Sequence, residues 1–112
     1  MKYYAPKDVT SPKDCVSNIE VLYDGGEDSV SVVSLDWNKT PSLAMRWNVA
    51  YREKNDSDKK NNRKKCIGMP LSNSHPVWFI LPKELFDQQS DLRQAIENHL
   101  QKQNQHNFTN CI

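Results

Sequence analysis

Ser42-Leu43-Ala44-Met45-Arg46-Trp47-Asn48-Val49-Ala50-Tyr51-Arg52 is the stretch whose reading decides the fold. Leu43, Met45, Trp47, Val49 and Tyr51 alternate with small or polar residues, and only a β-strand gathers a period of two onto one face. A helix would scatter the five around its circumference. The reverse face carries Ala44, Arg46, Asn48, Ala50 and Arg52. The stretch is expected to be the central strand, its apolar side against the core and its Arg46/Asn48/Arg52 side toward water or a ligand. Trp47→Ala should then cost ~3–5 kcal/mol, as for other buried aromatic side chains.

The strand before it spans about Ser29 to Trp37, and its alternation changes phase between Val32 and Val33. A β-bulge or burial on both faces reconciles the two halves. Asn38-Lys39-Thr40-Pro41-Ser42 reads as the turn, with Pro41 ending the pairing. Trp37 then faces Leu43, Leu35 faces Met45 and Val33 faces Trp47, so that core residues meet core residues. That register also suggests an Asp36–Arg46 pair. Ile19, Val21 and Tyr23 form a first strand, closed by the tight-turn signal Asp24-Gly25-Gly26. Residues 1–17, with Pro6 and Pro12, read as an extended arm anchored by Val9 or Val16.

Beyond Arg52, residues 53–65 contain no apolar side chain and carry six Lys/Arg against three acids. So polar a stretch is expected to be a flexible charged loop. A short strand follows around Cys66-Ile67-Gly68-Met69, then a turn over Leu71–Pro76. Val77-Trp78-Phe79-Ile80-Leu81 is a fifth strand buried on both faces. Pro82 suits the start of a helix. Leu85, Phe86, Leu92, Ile96 and Leu100 make a helical stripe over about 83–103, either continuous or broken near Gln88–Ser90 with Ser90-Asp91 as a cap. Residues 101–112 are a polar tail in which Phe108 and Ile112 are the residues able to dock. The expected core is Ile19, Val21, Leu35, Trp37, Leu43, Met45, Trp47, Val49, Phe79, Leu81, Leu85, Leu92 and Ile96. The expected fold is one α+β domain over 1–112, a mainly antiparallel sheet of about five strands with a C-terminal helix or broken helix pair on one face.

A net charge of +1 over 112 residues sets up no global field toward nucleic acid or membrane. No stretch suits a signal peptide or a membrane span. Cys15, Cys66 and Cys111 are odd in number and without close spacing, which suits free thiols in a reducing cytoplasm. The sequons at Asn38, Asn55 and Asn107 then go unused. His75, His99 and His106 lack metal-ligand spacing, and no phosphate-binding loop, nucleophile elbow or dinucleotide fingerprint occurs, so neither metal nor cofactor is expected. Cys66 lies beside Lys64 and Lys65, which would favour a thiolate, but a buried strand cysteine is ordinarily inert.

The residues read best as a non-catalytic binding module. Its contact surface is Arg46, Asn48 and Arg52 together with the basic loop, including Lys59, Lys60, Arg63 and Lys64. The expected partner is a protein, and a homo-oligomer is compatible with the sequence. The alternative is single-stranded nucleic acid gripped by the same loop. A third reading is a small hydrolase or nuclease using Glu84, Asp87 or Asp91 near His75, although acids near a helix start ordinarily serve the helix dipole.

Three pieces, Arg46-Trp47-Asn48, Gly68-Met69-Pro70-Leu71-Ser72 and Pro76-Val77-Trp78-Phe79-Ile80-Leu81-Pro82-Lys83-Glu84-Leu85, resemble small uncharacterised bacterial proteins of integron cassettes and other mobile DNA. The similarity covers about Ile19 to Leu85 and carries no activity or catalytic residue. It implies an accessory protein of a bacterial cell. In those relatives a glycine tends to stand two residues after the serine of the middle piece, where this chain has Ser74. In layout alone the chain is also similar to single-strand-binding transcriptional coactivators.

Overall fold

The structure is a computed structural model that describes the backbone of residues 1–110 and the side chains of residues 1–104. Expectations for the side chain of Phe108, for the sequon at Asn107 and for Cys111 and Ile112 fall outside the described residues. The chain is α+β and divides into two compact units, the first ending at Leu81 and the second beginning at Pro82.

A two-residue turn sets the register of the first unit. β2 (Val30–Trp37) and β3 (Thr40–Trp47) are joined by Asn38-Lys39, both at positive φ (49° and 68°). This is the tight hairpin connection whose twist matches that of the flanking strands, and asparagine tolerates the left-handed region better than most residues. Thr40 and Pro41 therefore belong to β3 rather than to a five-residue turn. β6 (Phe79–Leu81) pairs only with Leu43–Met45, so at Pro41 one side of β3 is an edge, where a residue without an N–H is tolerated. β1 (Val16–Asp24) completes a four-stranded antiparallel sheet in the order β1-β2-β3-β6.

The shorter turn reverses the expected facing. Val33 pairs with Ala44, Leu35 with Ser42 and Ser31 with Arg46. The register differs from the expected one by three residues, and an odd slip moves every side chain of a strand to the other face. The face carrying Val33, Leu35, Ala44 and Arg46 is buried, and Trp47, expected in the core, stands 52% exposed. Asp36 pairs with Pro41 and accepts a hydrogen bond from Asn18 (2.7 Å) instead of meeting Arg46. The opposite face is apolar as well. Cross-strand rows run Val30–Trp47–Met69 and Val32–Met45–Phe79, and Leu43 lies beside Leu81.

The buried cluster consists of Val9, Val16, Val33, Leu35, Ala44 and Trp78, with Cys15, Ile19, Trp37 and Ile80 packed against it. Val9 and Val16 both anchor the arm, which includes a 3-10 turn at Pro6–Asp8. Trp78 locks it further, its indole N–H donating to the Val9 carbonyl at 2.7 Å. Val77–Leu81 is thus buried through Trp78, while Phe79 and Val21, both expected inside, are exposed.

Short helical turns lie within residues 53–65, the segment expected as a loop. A 3-10 turn at Tyr51–Asn55 leads into the single helical turn α1 (Ser57–Lys60). Asp56 caps α1 by accepting from the Asp58 and Lys59 N–H groups at 2.9 and 3.3 Å. Such local side-chain acceptors substitute for apolar burial in fixing a polar segment. Residues 64–69 form no strand, only bridges of Tyr3 to Cys66 and Trp47 to Met69. A small hairpin follows, β4 (Leu71–Ser72) with β5 (His75–Pro76), turning at Asn73-Ser74 with both residues at positive φ (50° and 64°).

In the second unit Pro82 precedes a 3-10 turn at Lys83–Phe86, and α2 (Asp91–Asn110) begins after a break. Ser90 caps α2, its Oγ accepting from the Arg93 N–H at 3.1 Å while its hydroxyl donates to the Glu84 carbonyl. The expected polar tail continues as helix to Asn110. Leu92 is exposed rather than part of a core.

Two outcomes follow from this packing. Trp78→Ala should cost ~3–5 kcal/mol in denaturant melts, and Trp47→Ala about half of that or less, since half of its surface already faces water. Ser74→Gly should raise stability by ~0.5–1 kcal/mol, because Asn-Gly suits a turn with both residues at positive φ.

Candidate functional site

Two buried charged side chains build the scaffold at the end of β3. The Arg46 guanidinium, 4% exposed, donates to the Val77 carbonyl (2.6 Å) and the Ile67 carbonyl and lies over the Trp78 ring, 6.0 Å from its centroid. Burial pushes its pKa down to about 10, against an opposing pull from Glu53, so it stays charged at neutral pH. The Glu53 carboxylate accepts from the N–H groups of Ala50 (2.9 Å), Ile67 (2.7 Å) and Gly68 (2.7 Å) and from the Lys59 ammonium (2.6 Å). Burial alone would raise its pKa, but these donors outweigh it and hold the carboxyl below its ordinary value. Gly68, at φ +71°, is required here: a Cβ would lie 2.1 Å from the Trp47 carbonyl oxygen.

Asn48 belongs to the same scaffold. Its amide donates to the Gly26 carbonyl (2.8 Å) and Asp24 Oδ1 (3.2 Å), and its Oδ1 accepts from the Ser31 hydroxyl (2.7 Å). Among the described residues no buried side-chain nitrogen or oxygen lacks a partner. Arg46 and Asn48 are therefore internal staples and do not form one exposed row with Arg52, which is exposed on the turn at Tyr51–Asn55. The inward facing of β3, together with backbone groups waiting to be satisfied, explains the difference from expectation. Lys59 joins them through Glu53. Lys60, Arg63, Lys64 and Lys65 remain at the surface; Arg63 and Lys64 reach Asp58 at 3.5 and 3.9 Å, and Lys65 lies 5.3 Å over the Tyr4 ring.

With polar side chains turned inward, apolar ones are turned out. Trp47, Tyr51 (86% exposed) and Met69 (48% exposed) surround a cleft of about 290 Å³. Val49 and Ala50, both buried, also line it. Glu27, Asp28 and Lys54 complete the lining. Sequence reasoning missed this cleft because it placed Trp47 in the core and Tyr51 on the same apolar side of the strand. The signal that would have found it is Asn38-Lys39, read as a two-residue hairpin turn.

The other candidates are placed as follows. His75 is exposed on β5, and Glu84, Asp87 and Asp91 lie in the second unit, where Asp87 accepts from the Gln89 N–H (2.9 Å). Burial, then the charge of Glu53, pushes the Cys66 thiol up, away from a reactive thiolate. Among the described residues no group of three His, Cys, Asp or Glu is placed to hold a metal ion, and no helix is long and apolar enough to cross a membrane. Comparison with protein-family models, curated proteins and solved structures gives no match.

The depressed Glu53 carboxyl makes stability depend on pH in a defined direction. Its contribution is fully present above the unfolded-state value of roughly 4.3 and is lost as pH falls through the lower folded value. Glu53→Gln should lower stability at pH 7 by several kcal/mol and flatten the loss between about pH 5 and 3, measured by urea melts across that range.

Proposed function

We propose that this chain is a non-catalytic accessory module that binds a protein partner, with the cleft of Trp47, Tyr51 and Met69 as its anchor. The observation that carries this reading is the gathering of three large apolar side chains, each about half exposed or more, around one cleft on a hydrogen-bonded scaffold. Tryptophan and tyrosine dominate the energetic centres of protein interfaces, and methionine is enriched there. A cleft held by internal hydrogen bonds needs little ordering when it binds. Arg52 and the exposed cations Lys60, Arg63, Lys64 and Lys65 supply a basic surface that would speed encounter with an acidic partner region. The resemblance to proteins of bacterial mobile DNA and the free thiols of Cys15 and Cys66 favour a place in the bacterial cytoplasm.

A second reading, single-stranded nucleic acid, is favoured by the Tyr4 ring lying beside Lys64 and Lys65 in one shallow depression. An aromatic ring beside cations is the combination on which such binding draws.

Capture from bacterial lysate, with and without nuclease, separates the two. The protein-binding reading expects a captured polypeptide that survives nuclease and is lost from a Tyr51→Ala/Met69→Ala variant. If capture instead vanishes with nuclease, weakens steeply with salt and is lost on neutralising Lys60, Arg63, Lys64 and Lys65, the nucleic-acid reading takes its place. Lys59 is left intact in that variant because it holds Glu53.

A further inference from the structure

The walls of the cleft differ in chemistry in a way that restricts what can enter it. Trp47 and Tyr51 contribute aromatic side chains, Met69 a polarisable thioether, and buried Val49 and Ala50 an apolar lining. Glu27 and Asp28 add two carboxylates. Aromatic faces attract cations through their quadrupole, and a thioether packs along an alkyl stem. Apolar walls alone would take any hydrophobic group, and carboxylates alone would hold a hydrated cation weakly. The combination suits a group that is apolar along its length and positive at its tip.

Cations already occupy the carboxylates. The Lys54 ammonium lies 2.6 Å from Asp28 Oδ1, and the Met1 amino group lies 2.5 Å from Glu27. The Lys54–Asp28 pair is exposed on both sides, so it contributes little to folding and can exchange. Lys54 thus places an intramolecular ammonium on the acidic wall of the cleft.

We propose that the cleft bounded by Trp47, Tyr51 and Met69 receives a cationic side chain of the partner, a lysine, methylated lysine or arginine, which displaces Lys54 from Asp28. The assignment deepens the protein-binding reading and rests on it. An acidic partner region over the basic surface and a basic side chain in this cleft would together fix the partner's orientation.

The test uses the full chain and two end-capped amino acids of similar stem, lysine and norleucine, with capped trimethyl-lysine as a third probe. Binding is followed by NMR shifts of the Trp47 indole N–H and the Met69 methyl group. Capped lysine or its trimethyl form should bind roughly 3-fold or more tightly than capped norleucine, the order expected for an exposed cation–π contact. Lys54→Met should strengthen the cation's binding by a similar factor, and Asp28→Asn should weaken it; both positions are at the surface, and an unchanged amide spectrum elsewhere verifies the fold. Equal shifts from lysine and norleucine overturn the cation assignment and leave the apolar anchor standing. No shift from any probe, or no response to Lys54→Met, also overturns it, while the lysate capture tests the protein-binding reading separately.

Discussion

A guanidinium and a carboxylate, both inside the first unit, satisfy a segment of chain that has no sheet ladder of its own. Residues 66–69 make only two bridges to other segments, so their remaining backbone groups need other partners. Glu53 takes the N–H groups of Ile67 and Gly68, and Arg46 takes the Ile67 carbonyl and reaches on to Val77. Each ion is costly to bury alone. Here no buried nitrogen or oxygen of either side chain lacks a partner, and Glu53 favours the charged form of Arg46. Removing either partner would leave buried backbone groups unmatched, so the geometry of the whole end of the sheet rests on them.

The same arrangement creates the cleft. A strand has only two faces, and β3 turns Ala44 and Arg46 inward, with buried Asn48 continuing the series just beyond its end. Trp47 must then face outward, opposite Met69. Glu53 also fixes the turn that carries Tyr51, through its bond to the Ala50 N–H. The exposed apolar side chains are therefore held by the buried polar ones. Gly68 makes the approach feasible, since no side chain fits against the Trp47 carbonyl.

The local structure of the charged segment 53–65 has a related origin. The segment lacks apolar residues, yet one of its members, Glu53, is buried, and another, Asp56, caps the helical turn that follows. Local hydrogen bonds and one deep carboxylate do what hydrophobic burial does elsewhere. The consequence for function is a division of the basic residues. Lys59 is committed to Glu53, whereas Lys60, Arg63, Lys64 and Lys65 stay at the surface.

Much of the fold was legible because it depends on local signals. The period of two marks β1, β2 and β3, valines at 9 and 16 anchor the arm, and Ser90 ends the break before α2. The basic residues of the surface were legible as well. The facing of β3 was not, because a period of two is unchanged when the strand is turned over, and the turn residues that fix the parity admit two lengths. Nor does a sequence show that Arg46 finds carbonyl partners 21 and 31 residues away, or that Glu53 finds amides 14 and 15 residues away. Hydrophobicity ranks such side chains as outward, and only backbone groups brought up by the tertiary fold reverse that ranking. The sequence by itself thus determined that Ser42–Trp47 belongs to a strand with alternating rows of side chains; the tertiary structure ended that strand at Trp47, buried Arg46 and Asn48, and left Trp47 facing water.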